Sequence, residues 1–69
     1  MERHRFVGSS MILGYESVDQ VLEIEFRNGE TYEYFLVPQS VYTEFREASS
    51  PGEFFLTRIR SRYPFRQVS

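Results

Sequence analysis

Sixty-nine residues, 41% hydrophobic and 26% charged, suit one small globular domain and exclude both a disordered chain and a string of domains. With no Cys there is neither a disulfide framework nor a thiolate metal site, and no apolar run approaches the roughly 20 residues of a bilayer crossing. The net charge of −2 is uneven: all ten acids fall in residues 1–57 beside four Arg, whereas Arg58, Arg60, Arg62 and Arg66 follow with no acid among them and no Lys anywhere.

Residues 1–8 read as a flexible N-terminal arm and residues 9–69 as a single domain. Met1-Glu2-Arg3-His4-Arg5 is not followed by an apolar signal core, so the expected setting is cytoplasmic. Residues 10–15 read as a short strand. Val21 to Arg27 alternates cleanly, with Leu22, Ile24 and Phe26 on one face, which is the period of a half-buried strand. Asn28-Gly29 is a hairpin signal, and Thr31 to Val37, rich in Tyr, Phe and Val, is the return strand.

Parity decides the turn. A two-residue loop would place Tyr32 and Tyr34 on the face of Glu23 and Glu25. A three-residue loop, Arg27-Asn28-Gly29 with Gly29 left-handed in a bulge, sets Phe26 against Glu30, Ile24 against Tyr32 and Leu22 against Tyr34. The second register joins the apolar residues, so it is the expected one.

After Pro38 the period changes. Val41, Phe45 and Ala48 fall at i, i+4 and i+7, which predicts an amphipathic helix over 38–48. Ser50-Pro51-Gly52-Glu53 has the spacing of a capping box and opens a second helix, expected over 51–63, with Phe55, Leu56, Ile59 and Tyr63 as its stripe. Pro64 disfavours helix at Tyr63. The expected fold is α+β: a three-stranded antiparallel β-meander followed by two α-helices packed on one face of the sheet.

The chain offers little for catalysis. His4 is the only histidine, no Ser has a histidine partner in a structured position, and the four Gly are isolated, so neither a nucleophile–base pair nor a phosphate loop is present. No catalytic residue, metal ligand or cofactor is expected. Three sets of residues carry the remaining interest. Arg58, Arg60, Arg62 and Arg66 are either an anion-binding edge, with Arg58 and Arg62 four apart on the second helix, or a solvated surface. Glu23, Glu25 and Glu33 share the second face of the hairpin. Opposed Glu23 and Glu33 repel, so a cation is expected near them, from Arg27 or the Arg-rich helix. Tyr32 and Tyr34 are either core rings under the helices or a base-stacking platform, and the preferred register favours core.

The ordered set Gly14-Tyr15, Leu22-Glu23-Ile24-Glu25-Phe26, Gly29, Tyr32-Glu33-Tyr34, Val37-Pro38, Val41-Tyr42, Ala48-Ser49, Gly52, Phe54-Phe55, Ile59-Arg60 and Tyr63-Pro64 resembles the KTSC domain family. That bacterial family is named for its place at the C-terminus of some lysyl-tRNA synthetases, and Tyr-x-Tyr is its hallmark. The resemblance runs from about Ser10 to Phe65 and departs at Leu56, where a polar residue is expected. It implies a stand-alone, non-enzymatic binding module of bacterial or phage origin. The family's function is not established, and RNA binding has been the working guess for it. Three partner classes follow: RNA on the Arg-bearing helix; a protein or second copy that matches the Arg end to the Glu face; or a small anionic nucleotide held by a homo-oligomer. No membrane is implied.

Overall fold

A computed structural model describes residues 1–69. Alternation at Leu22, Ile24 and Phe26 builds the central strand of a five-stranded sheet. The strands are β1 (Glu2–Arg5), β2 (Ile12–Val18), β3 (Val21–Phe26), β4 (Thr31–Tyr34) and β5 (Phe65–Gln67). Their order follows the chain and every neighbouring pair is antiparallel. Helix α1 (Gln39–Glu47) and a second helical segment lie between β4 and β5. The α+β class is therefore as expected, with two strands added at the sheet edges.

The β3–β4 hairpin has the register that parity favoured. Leu22 faces Tyr34, Glu23 faces Glu33 and Ile24 faces Tyr32. The Phe26 N–H donates to the Glu30 carbonyl at 2.8 Å, the Gly29 N–H donates to the Phe26 carbonyl at 3.0 Å, and Gly29 has φ of 95°. This left-handed residue ends a three-residue loop, a conformation that glycine adopts without steric cost.

The two added strands correct the sequence reading. Glu2–Arg5, expected in a loose arm, pairs with Gly14–Ser17 of β2. The following segment is pinned as well: the Arg27 guanidinium donates to the carbonyls of Ser9 at 2.6 Å and Phe6 at 2.8 Å. Phe6 is buried and His4 packs edge-on to it at 4.8 Å. The expected histidine in a mobile arm is thus a wall residue of the core. At the opposite edge, Phe65–Gln67 pairs with Tyr32–Tyr34.

The helices differ in length from the expectation. Pro38 is extended and stands just before α1 instead of in its first turn. The second segment begins as predicted: Ser50 Oγ accepts from the Glu53 N–H at 3.4 Å, and Pro51 occupies the first position. Helix α2 (Pro51–Phe54) then widens into a π-helical turn (Phe55–Ile59), where the Arg60 N–H reaches back five residues to the Phe55 carbonyl at 2.9 Å. Regular helix stops there, four residues before Tyr63. The chain then turns, and the Pro64 carbonyl accepts from the Phe35 N–H at 2.9 Å. Leaving the helix early is what allows Phe65–Gln67 to reach the β4 edge.

Both helical segments cover one sheet face. Ile12, Leu22, Ile24, Val37, Phe45 and Ile59 are fully enclosed between the layers. Phe45 of α1 stacks on Tyr15 at 5.3 Å and on Phe54 at 5.6 Å, and meets Phe6 at 5.0 Å. Rings therefore supply the apolar area that a short chain needs. The single Tyr15 hydroxyl proton is shared between two acceptors, Glu2 Oε1 at 3.1 Å and the Tyr42 carbonyl at 3.3 Å, and Arg46 pairs with Glu2, so β1 is clasped to α1.

Candidate functional site

The outer sheet face assembles a transverse row from one residue of each strand. Arg3 faces Glu16, Glu16 faces Glu23, Glu23 faces Glu33, and Glu33 faces Arg66. The end pairs are closed, Arg3–Glu16 at 3.0 Å and Arg66–Glu33 at 2.8 Å. The expected cation is present, but Arg66 on β5 supplies it, whereas Arg27 is engaged with backbone carbonyls. Glu23 in the middle has no cation. Burial first, then Glu16, Glu33 and Glu25, push its carboxyl above the usual carboxylate range.

A raised native carboxyl destabilises the fold above its unfolded value. That penalty disappears as pH falls through the raised one. Glu23→Gln should therefore raise the melting temperature at neutral pH, by a few tenths to about 1 kcal/mol of stability. The gain should shrink in acid, which a series of melts from pH 7 downward will check. A gain that persists undiminished in acid would refute the charge argument.

The arginines separate into two groups. Arg58 is paired with Glu44 at 3.1 Å and lies 5.1 Å over the Phe54 ring. Arg66 is held by Glu33. Arg60 and Arg62 are exposed and make no ion pair. The structure does not set Arg58 and Arg62 side by side on a helix, because the helical segment ends at Ile59.

Arg60 instead borders an open groove of about 490 Å³ on the helix side of the sheet, between the β3–β4 hairpin, β5 and the π turn. Its walls are largely aromatic. Tyr32 is half-buried and meets Phe26 edge-on at 5.7 Å, Tyr34 in a stack at 6.4 Å and Phe65 at 5.7 Å. Phe65 also meets Tyr34 at 5.6 Å, yet stays 56% exposed. Leu56, expected in the core stripe, is 44% exposed and lines the groove with Phe55, Arg60 and Ser61. The wider pitch of a π turn aligns residues five apart, so Phe55 with Arg60 and Leu56 with Ser61 share a side that a 3.6-residue helix would divide.

Tyr32 and Tyr34 thus share the groove unequally. Tyr34 is the core residue, only 3% exposed. Its hydroxyl has no hydrogen bond within the chain, and no sealed side-chain polar atom in the structure lacks a partner. The hydroxyl is therefore reached by solvent, and Tyr34 lines the groove. Burial, then the neighbouring Tyr32, push its pKa up to about 12 despite the opposing charge of Arg60, so the group is a donor at neutral pH. Sequence reasoning missed Phe65 and the openness of Leu56. No group of His, Cys, Asp and Glu is arranged to hold a metal ion, and no helix is long and apolar enough to cross a membrane.

Comparison with known proteins identifies the architecture. A lysine–tRNA ligase of Trichormus variabilis is 42% identical over 55 residues, which is 80% of this chain but 10% of the ligase. The chain therefore spans about a tenth of that relative's length. An uncharacterized protein of Stutzerimonas stutzeri is 41% identical over 56 residues, covering 80% of this chain and 79% of that one. The crystal structure of a KTSC domain protein from Yersinia pestis superposes with a TM-score of 0.84 at 37% identity, over 99% of this chain and 97% of that one. The KTSC domain matches residues 8–63, from the loop after β1 to the turn before β5. With that match spanning the meander, both helical segments and the Tyr-x-Tyr strand, the chain belongs to the KTSC domain family.

Proposed function

We propose that this domain is a non-enzymatic module that binds single-stranded RNA in the aromatic groove. The carrying observation is the exposed Phe65 ring beside half-buried Tyr32, with the unpaired Arg60 at the rim. Exposed rings stack any base, and guanidinium groups track the phosphate backbone. The lysine–tRNA ligase relatives, whose named substrate is an RNA, support this class of ligand. The RNA-facing cations are then Arg60 and Arg62, since Arg58 and Arg66 have acids of their own.

Fluorescence anisotropy with a labelled single-stranded oligonucleotide tests the reading. Phe65→Ala removes an exposed ring and should weaken binding about ten-fold, within the usual range for one stacked base. Arg60→Gln combined with Arg62→Gln should reduce the salt slope by about 1.4, at 0.7 per phosphate contact on a single strand. Binding that is absent at low salt, or unaffected by both changes, would exclude it.

A second reading has one observation in its favour, the unmatched Glu23 carboxylate. Self-association would bring a cation of another copy to it, and sedimentation would then depend on protein concentration instead of on RNA.

A further inference from the structure

We infer that the Tyr34 hydroxyl and Arg60 form a phosphate clamp at one end of the groove, so that a nucleotide enters in a single orientation. This rests on the RNA-binding reading and adds to it a specific donor and a polarity. The Tyr34 ring belongs to the core, but its hydroxyl does nothing for the core. The residue is only 3% exposed, but its hydroxyl makes no hydrogen bond in the chain and is not sealed, and Tyr34 lines the groove. Phe would fill the same space in the core without presenting a polar group to the groove. The hydroxyl is therefore free to pair with water or with whatever enters the groove.

The neighbours decide what that partner is. Arg60 lines the same groove, carries no counter-ion and is close enough to act on the Tyr34 hydroxyl electrostatically. A neutral O–H donor beside a free guanidinium suits an anion with several acceptor oxygens, and phosphate has that chemistry. Glu30 is the only carboxylate that lines the groove, and it stands at the hairpin-turn end, where it faces Phe26. Tyr34 is four residues further along, roughly 13 Å at about 3.3 Å per residue. The groove thus attracts an anion at its Tyr34–Arg60 end and repels one at its Glu30 end. Tyr32 lies midway, its ring against Phe26 and Phe65, where a base attached to the clamped phosphate would stack.

The test compares adenosine 5′-monophosphate with adenosine by NMR titration of the whole chain, alongside the RNA oligonucleotide. The parent should bind the monophosphate at least ten-fold more tightly than the nucleoside. Tyr34→Phe should lose roughly ten-fold for the monophosphate, as expected for a hydrogen bond to a charged group, and nothing for adenosine. Arg60→Gln should act in the same direction. Tyr34→Phe keeps the ring and deletes an unpartnered group, so it should melt no lower than the parent. If Tyr34→Phe keeps the parent's preference for phosphate while RNA still binds, the clamp is wrong and the RNA reading survives. If RNA binds but monophosphate and nucleoside bind alike, the clamp is again wrong. If neither RNA nor monophosphate binds, both readings fall. A peptide with a free C-terminal carboxylate that binds in a Tyr34-dependent manner while the monophosphate does not would also overturn the nucleotide assignment.

Discussion

Phe45→Ala should leave the domain largely unfolded. The ring is fully enclosed and touches Tyr15, Phe6 and Phe54, so it joins β2, the segment after β1, and both helical segments. Deleting a buried Phe costs about 3–5 kcal/mol, part of it transfer and part the cavity left behind. A chain of 69 residues has roughly 3–10 kcal/mol in total, at about 0.05–0.15 per residue. Far-ultraviolet circular dichroism at 25 °C should show the loss of structure, and Phe45→Leu should retain a cooperative melt at lower temperature. A parent-like melt of the Ala variant would mean that the ring stacking is not what joins the layers.

Gly14→Ala should be the other severe change, for a different reason. A Cβ on Gly14 would sit 2.5 Å from the His4 carbonyl oxygen and 3.2 Å from the Arg5 Cα, both in the β1 backbone. A flexible side chain can move aside, but a paired strand cannot without breaking its ladder. The new methyl would lever β1 away from β2, and Phe6 and the Glu2–Arg46 pair would go with it. Overpacking of this sort costs about 1–3 kcal/mol, and the released strand adds to it. Gly8→Ala is the control, because a Cβ there meets nothing within 4 Å. Equal melting temperatures for the two variants would falsify the close-approach argument.

How much of this was legible in the sequence depended on burial. The hairpin register could be read because β3 hides one whole face, and a slip of one residue would expose Leu22, Ile24 and Phe26 together. The edge strands could not. Glu2-Arg3-His4-Arg5 and Phe65-Arg66-Gln67 bury little, so they carry no apolar alternation to distinguish them from loop. The π turn was hidden for a related reason. Phe55 and Ile59 are four apart, which fits an α-helix equally well, and only the hydrogen bond from Arg60 to Phe55 reveals the wider pitch.

The candidate site shows the same division. Tyr34 could be placed in the core by parity, but the freedom of its hydroxyl is a property of the assembled groove. Arg58 and Arg62 looked like a matched pair only while the helix was taken to continue to Tyr63. The opposition of Glu23 and Glu33 could be read in full, because it follows from the same register as the core.

The position of β5 in the chain has a consequence for how the groove forms. Strands β1 to β4 pair with their sequence neighbours and close short loops, whereas β5 reaches β4 only after both helical segments. Contacts of long sequence separation carry the larger closure entropy, so β5 docks late in folding. It is three residues long and exposed throughout, the features of an element that opens locally at low cost in the native state. Phe65 rides on that unit. One wall of the groove can therefore swing out by local unfolding while Phe45 and the sheet interior stay shut, and an occupant that stacks on Phe65 would hold β5 in place.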